Sequence, residues 1–205
     1  MSSSASWCPP GLDAAGTQPP SPRKGGAEDL EDVNLVYISP ELKQIVADQL
    51  KERSSRSPDR AEERPITTVK VKALHDLQFR ATVEGHSFIM DERESSGGND
   101  AGPAPMRYYA AGIMGSDHVW IVKTAALHDL ALDKLEGELS LFGSKVGYTV
   151  SIESPNSDDQ MRQLIDEVRE GRGSLAKMAG GRRVDFTLKH NGETIMEKVY
   201  AGELA

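Results

Sequence analysis

A single cysteine, Cys8, serves the whole 205-residue chain. That excludes an intrachain disulfide and any multi-cysteine zinc site. Aromatic residues are scarce at 5%. No run approaches the roughly 18 apolar residues of a membrane span. The N-terminus has neither a basic region nor an apolar core, so no secretory leader is read there. Basic residues are outnumbered, 24 Lys+Arg against 32 Asp+Glu, giving a net charge of −8. An acidic chain is poorly matched to nucleic-acid phosphates. These absences predict a cytoplasmic protein with no membrane, nucleic-acid, metal or cofactor requirement.

Large apolar residues are missing from one region in particular. Residues 1–32 are rich in Ser, Pro, Gly and Ala and hold almost no large apolar residue beyond Trp7, Leu12 and Leu30. Such a segment buries too little surface to offset its ordering entropy, and it is expected to be disordered. Ser39-Pro40-Glu41 is a helix start: a capping serine, proline at the first helical position, then an acid. Leu42, Ile45, Val46 and Leu50 follow at helical spacing to about Arg53. Polar, charged residues from Ser54 to Arg64 read as a linker. The expected organisation is a tail over 1–32, an amphipathic helix and linker over 33–64, and one compact domain over 65–205.

The domain opens with period two. Val69, Val71 and Ala73 alternate with Lys70 and Lys72 as a strand with one wet face. Phe79 to Val83 and His86 to Met90 form two further strands around Glu84-Gly85. A glycine-rich loop over 91–104 leads to Pro105, which opens a helix of about 25 residues. Tyr108, Tyr109, Ala110, Ala111, Ile113, Met114, Val119, Trp120, Ile121 and Val122 leave this helix almost no polar face. A helix apolar nearly all round is buried on most sides, and a small domain can seldom surround one alone, so a partner chain is expected. Two strands follow (132–141 and 147–154). Next comes a helix with a Ser157/Gln160 capping box, a short helical piece over 174–178, and a hairpin turned at Asn191-Gly192. The order β-β-β-α-β-β-α-β-β is an α+β pattern.

Several of these residues together resemble the OsmC family, which includes the organic hydroperoxide resistance proteins. They are Gly85-His86-Ser87-Phe88 with Asp91-Glu92, Gly97-Gly98-Asn99-Asp100-Ala101-Gly102-Pro103-Ala104-Pro105, Ala110-Ala111-Gly112 inside the helix, and Leu132 to Leu139 after it. The likeness spans about 66–199. It implies an α+β OsmC-like fold with an antiparallel sheet, a long buried central helix and an intertwined homodimer. Members known to work as thiol peroxidases use a cysteine in the central helix, a second cysteine on the following helical region, and an assisting glutamate and arginine. Here the attacking position falls on Ser116, the glutamate position on Met106, and the second cysteine near Arg172-Gly173. Arg80 is a candidate for the arginine. An alcohol has no sulfenic state. The resemblance therefore implies a retained fold without the redox pair: a protein binding a small apolar molecule near Met106, Tyr109, Ser116 and Trp120, or an interaction module. The rival is an enzyme, either reducing hydroperoxides in oxidative stress defence or using Ser116 and His118 in non-redox chemistry.

Other motifs carry less. Consecutive helical residues point about 100° apart, so Ser116-Asp117-His118 cannot form a relay among themselves. His118 and His128 are ten apart and do not face together. The basic, glycine-rich stretch from Gly171 to Arg183 lacks phosphate-loop spacing and reads as a solvated helix end. His86 reads as a structural residue beside a turn, and Cys8 as incidental.

Overall fold

The computed structural model describes residues 36–55, 67–171 and 182–200. The expected tail, the linker from Arg56 onward, the 174–178 piece and Cys8 lie outside them. The compact unit runs from Leu35 to the C-terminus.

Helix α1 (Pro40–Ser55) begins where the capping pattern places it. Ser39 Oγ accepts a hydrogen bond from the Leu42 backbone N–H at 3.0 Å. Three strands then form an antiparallel meander: β1 (Val69–His75), β2 (Gln78–Val83) and β3 (His86–Met90). Glu84 and Gly85 both have positive φ, 49° and 85°, as a two-residue hairpin turn requires. Helix α2 (Pro105–Leu127) follows, with proline in its first turn and no side chain capping Ala104. The second sheet has the order β4 (Lys134–Leu141), β5 (Lys145–Glu153), β6 (Arg183–His190), β7 (Glu193–Tyr200). Between β5 and β6 runs α3 (Asp158–Gly171). Its capping box is formed: Ser157 Oγ accepts from the Gln160 N–H at 3.3 Å, and Gln160 Oε1 accepts from the Ser157 N–H at 3.0 Å.

The architecture is α+β, in the order expected. One pair departs from the antiparallel expectation: β5 and β6 run parallel. The α3 crossover returns the chain to the same end of the sheet, which a tight turn could not do.

The core lies between the helices and one face of the second sheet. Val146, Tyr148, Val150 and Ile152 of β5 and Val184, Phe186 and Leu188 of β6 meet Met161, Leu164, Ile165 and Val168 of α3, with Ile113, Ile121 and Ala125 of α2. In the single chain α2 is buried along one stripe only: Ile113, Asp117, Ile121, Thr124, Ala125 and Ala126. Its apolar residues Met106, Tyr109 and Val119 are exposed, as is every residue of β1.

Helix α1, expected as an arm outside the domain, packs on α2. Val46 is buried, Val36 and Ile38 pack against the core, and the Val36 N–H donates to Asp133 O at 3.1 Å. A single deeply buried side chain is a faint signal in a sequence, and the polar residues after α1 obscured it.

Candidate functional site

The glycine-rich loop is organised by a residue that sequence reasoning treated only as part of a motif. Asp91 is 1% exposed. It accepts hydrogen bonds from Gln78 Nε2 and from the backbone N–H groups of Glu92, Asn99 and Ala101, at 2.8 to 3.3 Å. Burial pushes its carboxyl upward, but these four donors outweigh it and hold the pKa below the ordinary 3.8. The glycines let the loop close on this carboxylate. A Cβ on Gly98 would lie 2.0 Å from Glu92 O, and one on Gly102 would lie 2.5 Å from Ile89 O. Tyr108 fixes α2 to the meander by donating to Ile89 O at 2.7 Å, with its ring 4.6 Å from Phe88.

Where this loop meets α2 and β4 there is a cavity of about 700 Å³. Ala104, Met106, Ala110, Ala111, Met114, Leu139 and Leu141 give it an apolar wall, and Glu92 and Arg107 add two charges. Met106 is therefore the one proposed binding residue that lines it. Tyr109, Ser116 and Trp120 lie on another stripe of α2, because ten residues of helix turn Ser116 about 80° from Met106. Ser116 is half-buried. Trp120 is half-buried against the core margin, with Lys123 Nζ 4.8 Å from its ring centre.

The most developed polar constellation lies one residue beyond Ser116. The Asp117 carboxylate is buried and accepts from both terminal nitrogens of Arg169 on α3, with Nη2 to Oδ2 at 3.0 Å, and from Tyr148 Oη at 2.9 Å. The side chains of Arg169 and Asp117 are only 8% and 5% exposed. The guanidinium carbon lies 4.7 Å from the Phe186 ring centre. Burial works against the Arg169 charge, but hydrogen bonds to Asp117 and its charge outweigh that, and the guanidinium pKa is raised. Burial and the neighbouring carboxylate push the Tyr148 phenol far above its ordinary range.

Arg169 Nε, Tyr200 Oη and His118 Nε2 are the three buried side-chain polar atoms left without hydrogen-bond partners among the described residues. His118 fits against Gly137: a Cβ there would lie 2.7 Å from His118 Nε2. Burial lowers the His118 pKa below 6.5; Asp117 opposes the shift and Arg169 adds to it.

Ser116, Asp117 and His118 thus have separate environments, and no relay joins them. Arg80 is exposed on β2, and the buried arginine beside α2 is Arg169. Arg172 and Gly173 lie outside the described residues. His128 Nε2 meets Glu167 Oε2 at 2.7 Å rather than His118. An Asp–His pair does occur, His190 Nδ1 with Asp158 Oδ1 at 2.5 Å, but its Nε2 meets the Ser154 carbonyl at 3.1 Å. Ser154 Oγ donates to Ala131 O at 2.7 Å, so this group ties the β6–β7 turn to the start of α3 and presents no nucleophile. Among the described residues no group of three or more His, Cys, Asp or Glu could hold a metal ion, and no helix is long and apolar enough to cross a membrane.

No family model matches the sequence, and no curated protein matches it. Solved structures do match in shape. An OsmC-like protein from Mycoplasma pneumoniae is 18% identical, with a TM-score of 0.51 over 62% of this chain and 99% of that one. A hypothetical protein from Aquifex aeolicus is 10% identical, with a TM-score of 0.52 over 63% of this chain and 99% of that one. Identities this low bear on architecture alone, and the architecture they agree on is plain: this chain has the OsmC-like fold.

Proposed function

We propose that this protein is a non-redox member of the OsmC-like group, a cytoplasmic homodimer that binds a small apolar molecule. The observation that carries the reading is the cavity of about 700 Å³ walled by Met106, Ala110, Ala111, Met114, Leu139 and Leu141. Its size and apolar lining suit a small ligand. The non-redox part rests on the helix itself. The resemblance calls for a thiolate on α2, and α2 contains no cysteine. Where α2 meets α3, Asp117 and Arg169 form a buried ion pair with no reversible oxidation state.

Dimer formation is supported by what one chain leaves uncovered. Val69, Val71, Leu74 and Leu77 around β1 are all at least 37% exposed, as are Met106, Tyr109 and Val119 on α2. Apolar area of this extent on a soluble domain marks an interface. Light scattering should give about twice the 22.3 kDa chain mass.

The ligand reading is tested with 1-anilinonaphthalene-8-sulfonate as an apolar probe, followed by fluorescence titration. Saturable binding is expected, and Ala111→Trp, which fills the cavity from α2, should weaken it at least about tenfold. Equal binding by the two proteins would remove the cavity from the argument.

A further inference from the structure

We propose that the cavity where the glycine-rich loop meets α2 and β4 takes a single-chain amphiphile whose head carries both a positive and a negative charge. This deepens the apolar-ligand reading above and rests on it. The α2 side of the cavity is apolar through Ala110, Ala111 and Met114, while Glu92 and Arg107 bring two opposite charges to its lining. Both charges belong to one end. Arg107 is in the first turn of α2, and the Asp91 N–H donates to Pro103 O at 3.4 Å, which holds Glu92 beside the start of that helix. From Arg107 to Met114 the helix rises about 10 Å, a length that an extended octyl chain spans.

Among the described residues, neither the half-buried Glu92 carboxylate nor the exposed Arg107 guanidinium has a hydrogen-bond or ion-pair partner, and the two are not paired with each other. Elsewhere opposite charges that share a place are joined, Lys134 with Glu136 at 3.0 Å and Lys145 with Asp185 at 3.1 Å. The backbones that present the two unpaired charges are fixed. The Glu92 N–H donates to Asp91 Oδ1 at 2.8 Å, and its carbonyl accepts from the Asp100 N–H at 3.0 Å. The Arg107 N–H donates to Ala104 O at 2.8 Å. Groups set in place beforehand bind with less ordering cost. The chemistry of the head follows from what a ligand displaces. Filling the cavity strips water from its rim. A neutral head leaves both charges uncompensated, and a singly charged head compensates one and meets the other as a like charge. An ammonium facing Glu92 and an anionic group facing Arg107 compensate both.

The test is isothermal titration of the full chain with four octyl amphiphiles, each kept below micelle formation. They are a sulfobetaine with both charges, a sulfate with the negative one, a trimethylammonium ion with the positive one, and a glucoside with neither. The sulfobetaine should bind at least about fivefold tighter than each of the others. Glu92→Gln should bring the sulfate level with the sulfobetaine, and Arg107→Gln should do the same for the trimethylammonium ion. Each affinity is read as a ratio to that of the glucoside, which shares the tail. Four equal affinities, or ratios that neither variant changes, would overturn the charged-head assignment and leave the cavity reading in place, because the tail still binds. No binding by any of the four, or binding that Ala111→Trp leaves unchanged, would overturn the cavity reading and this one together.

Discussion

Replacing Asp117 with asparagine keeps the side chain's shape and removes its charge. Arg169 would then hold an uncompensated guanidinium that is 8% exposed, packed on Phe186 and with Nε already unpartnered. Breaking one side of a buried pair costs about 3–5 kcal/mol, because the surviving charge keeps its desolvation penalty. For a chain of this size that is a fall in melting temperature of about 6–20 °C. The triple variant Asp117→Leu, Arg169→Met, Tyr148→Phe removes both charges and the hydroxyl that Asp117 accepts from, and should lie within about 1 kcal/mol of the parent, or above it. Tyr148→Phe, which loses one hydrogen bond to Asp117, should cost about 1 kcal/mol. Urea unfolding followed by circular dichroism, at one fixed protein concentration because association shifts apparent stability, measures all four proteins. The reasoning fails if Asp117→Asn loses less than about 1 kcal/mol, or if the triple variant is less stable than Asp117→Asn.

Three further outcomes are expected. Gly137→Ala would drive a methyl into His118 Nε2 and should lose about 1–3 kcal/mol, recovered when His118→Ala is added; chemical denaturation decides it. His118 has a folded pKa below 6.5, so its contribution is complete above that value and is lost as pH falls below it, where the unfolded chain takes up the proton first; His118→Leu should flatten the melting-temperature profile between about pH 5 and 7. Cumene hydroperoxide should not be turned over with dithiol reductants above a Cys8→Ser control, and Ser116→Cys should oxidise once without cycling; catalytic turnover by the unmodified protein that Ser116→Ala abolishes would replace the non-redox reading with an enzyme.

The elements that announced themselves in the sequence carry local signals. Ser39-Pro40, Ser157 with Gln160, and the Glu84-Gly85 and Asn191-Gly192 turns are short-range patterns, and each appears where it was read. Alternation located β1 but could not show that the strand is exposed on both faces within one chain. The parallel pairing of β5 with β6 depends on how α3 crosses, which no residue in either strand encodes. The Asp117–Arg169 pair joins positions 52 residues apart, so no spacing reveals it. The one available sign was an acid inside the apolar run of α2, a position that requires a buried partner without naming it. Cavity residues fared unevenly for a geometric reason. Met106 and Ser116 were grouped because the resemblance assigns both to one pocket, yet the helix turns them to different faces.

The two sheets differ in the order in which their contacts can form. In the meander every strand pairs with its sequence neighbour across a two-residue turn, so β1 to β3 need only short loops to close. The second sheet contains two local hairpins, β4–β5 and β6–β7, joined along a single seam. That seam pairs Lys145 with Arg183 and Ile152 with His190, and the whole of α3 must be spanned before its first hydrogen bond is made. Loop-closure entropy is therefore concentrated there, and long-range pairing is what slows folding. Met161, Leu164, Ile165 and Val168 on α3 share one core cluster with Val146, Tyr148, Val150 and Ile152 of the first hairpin and Val184, Phe186 and Leu188 of the second. Until that helix has formed, the core that the two hairpins share is incomplete, which makes its capped first turn a control point for the rate at which the domain assembles.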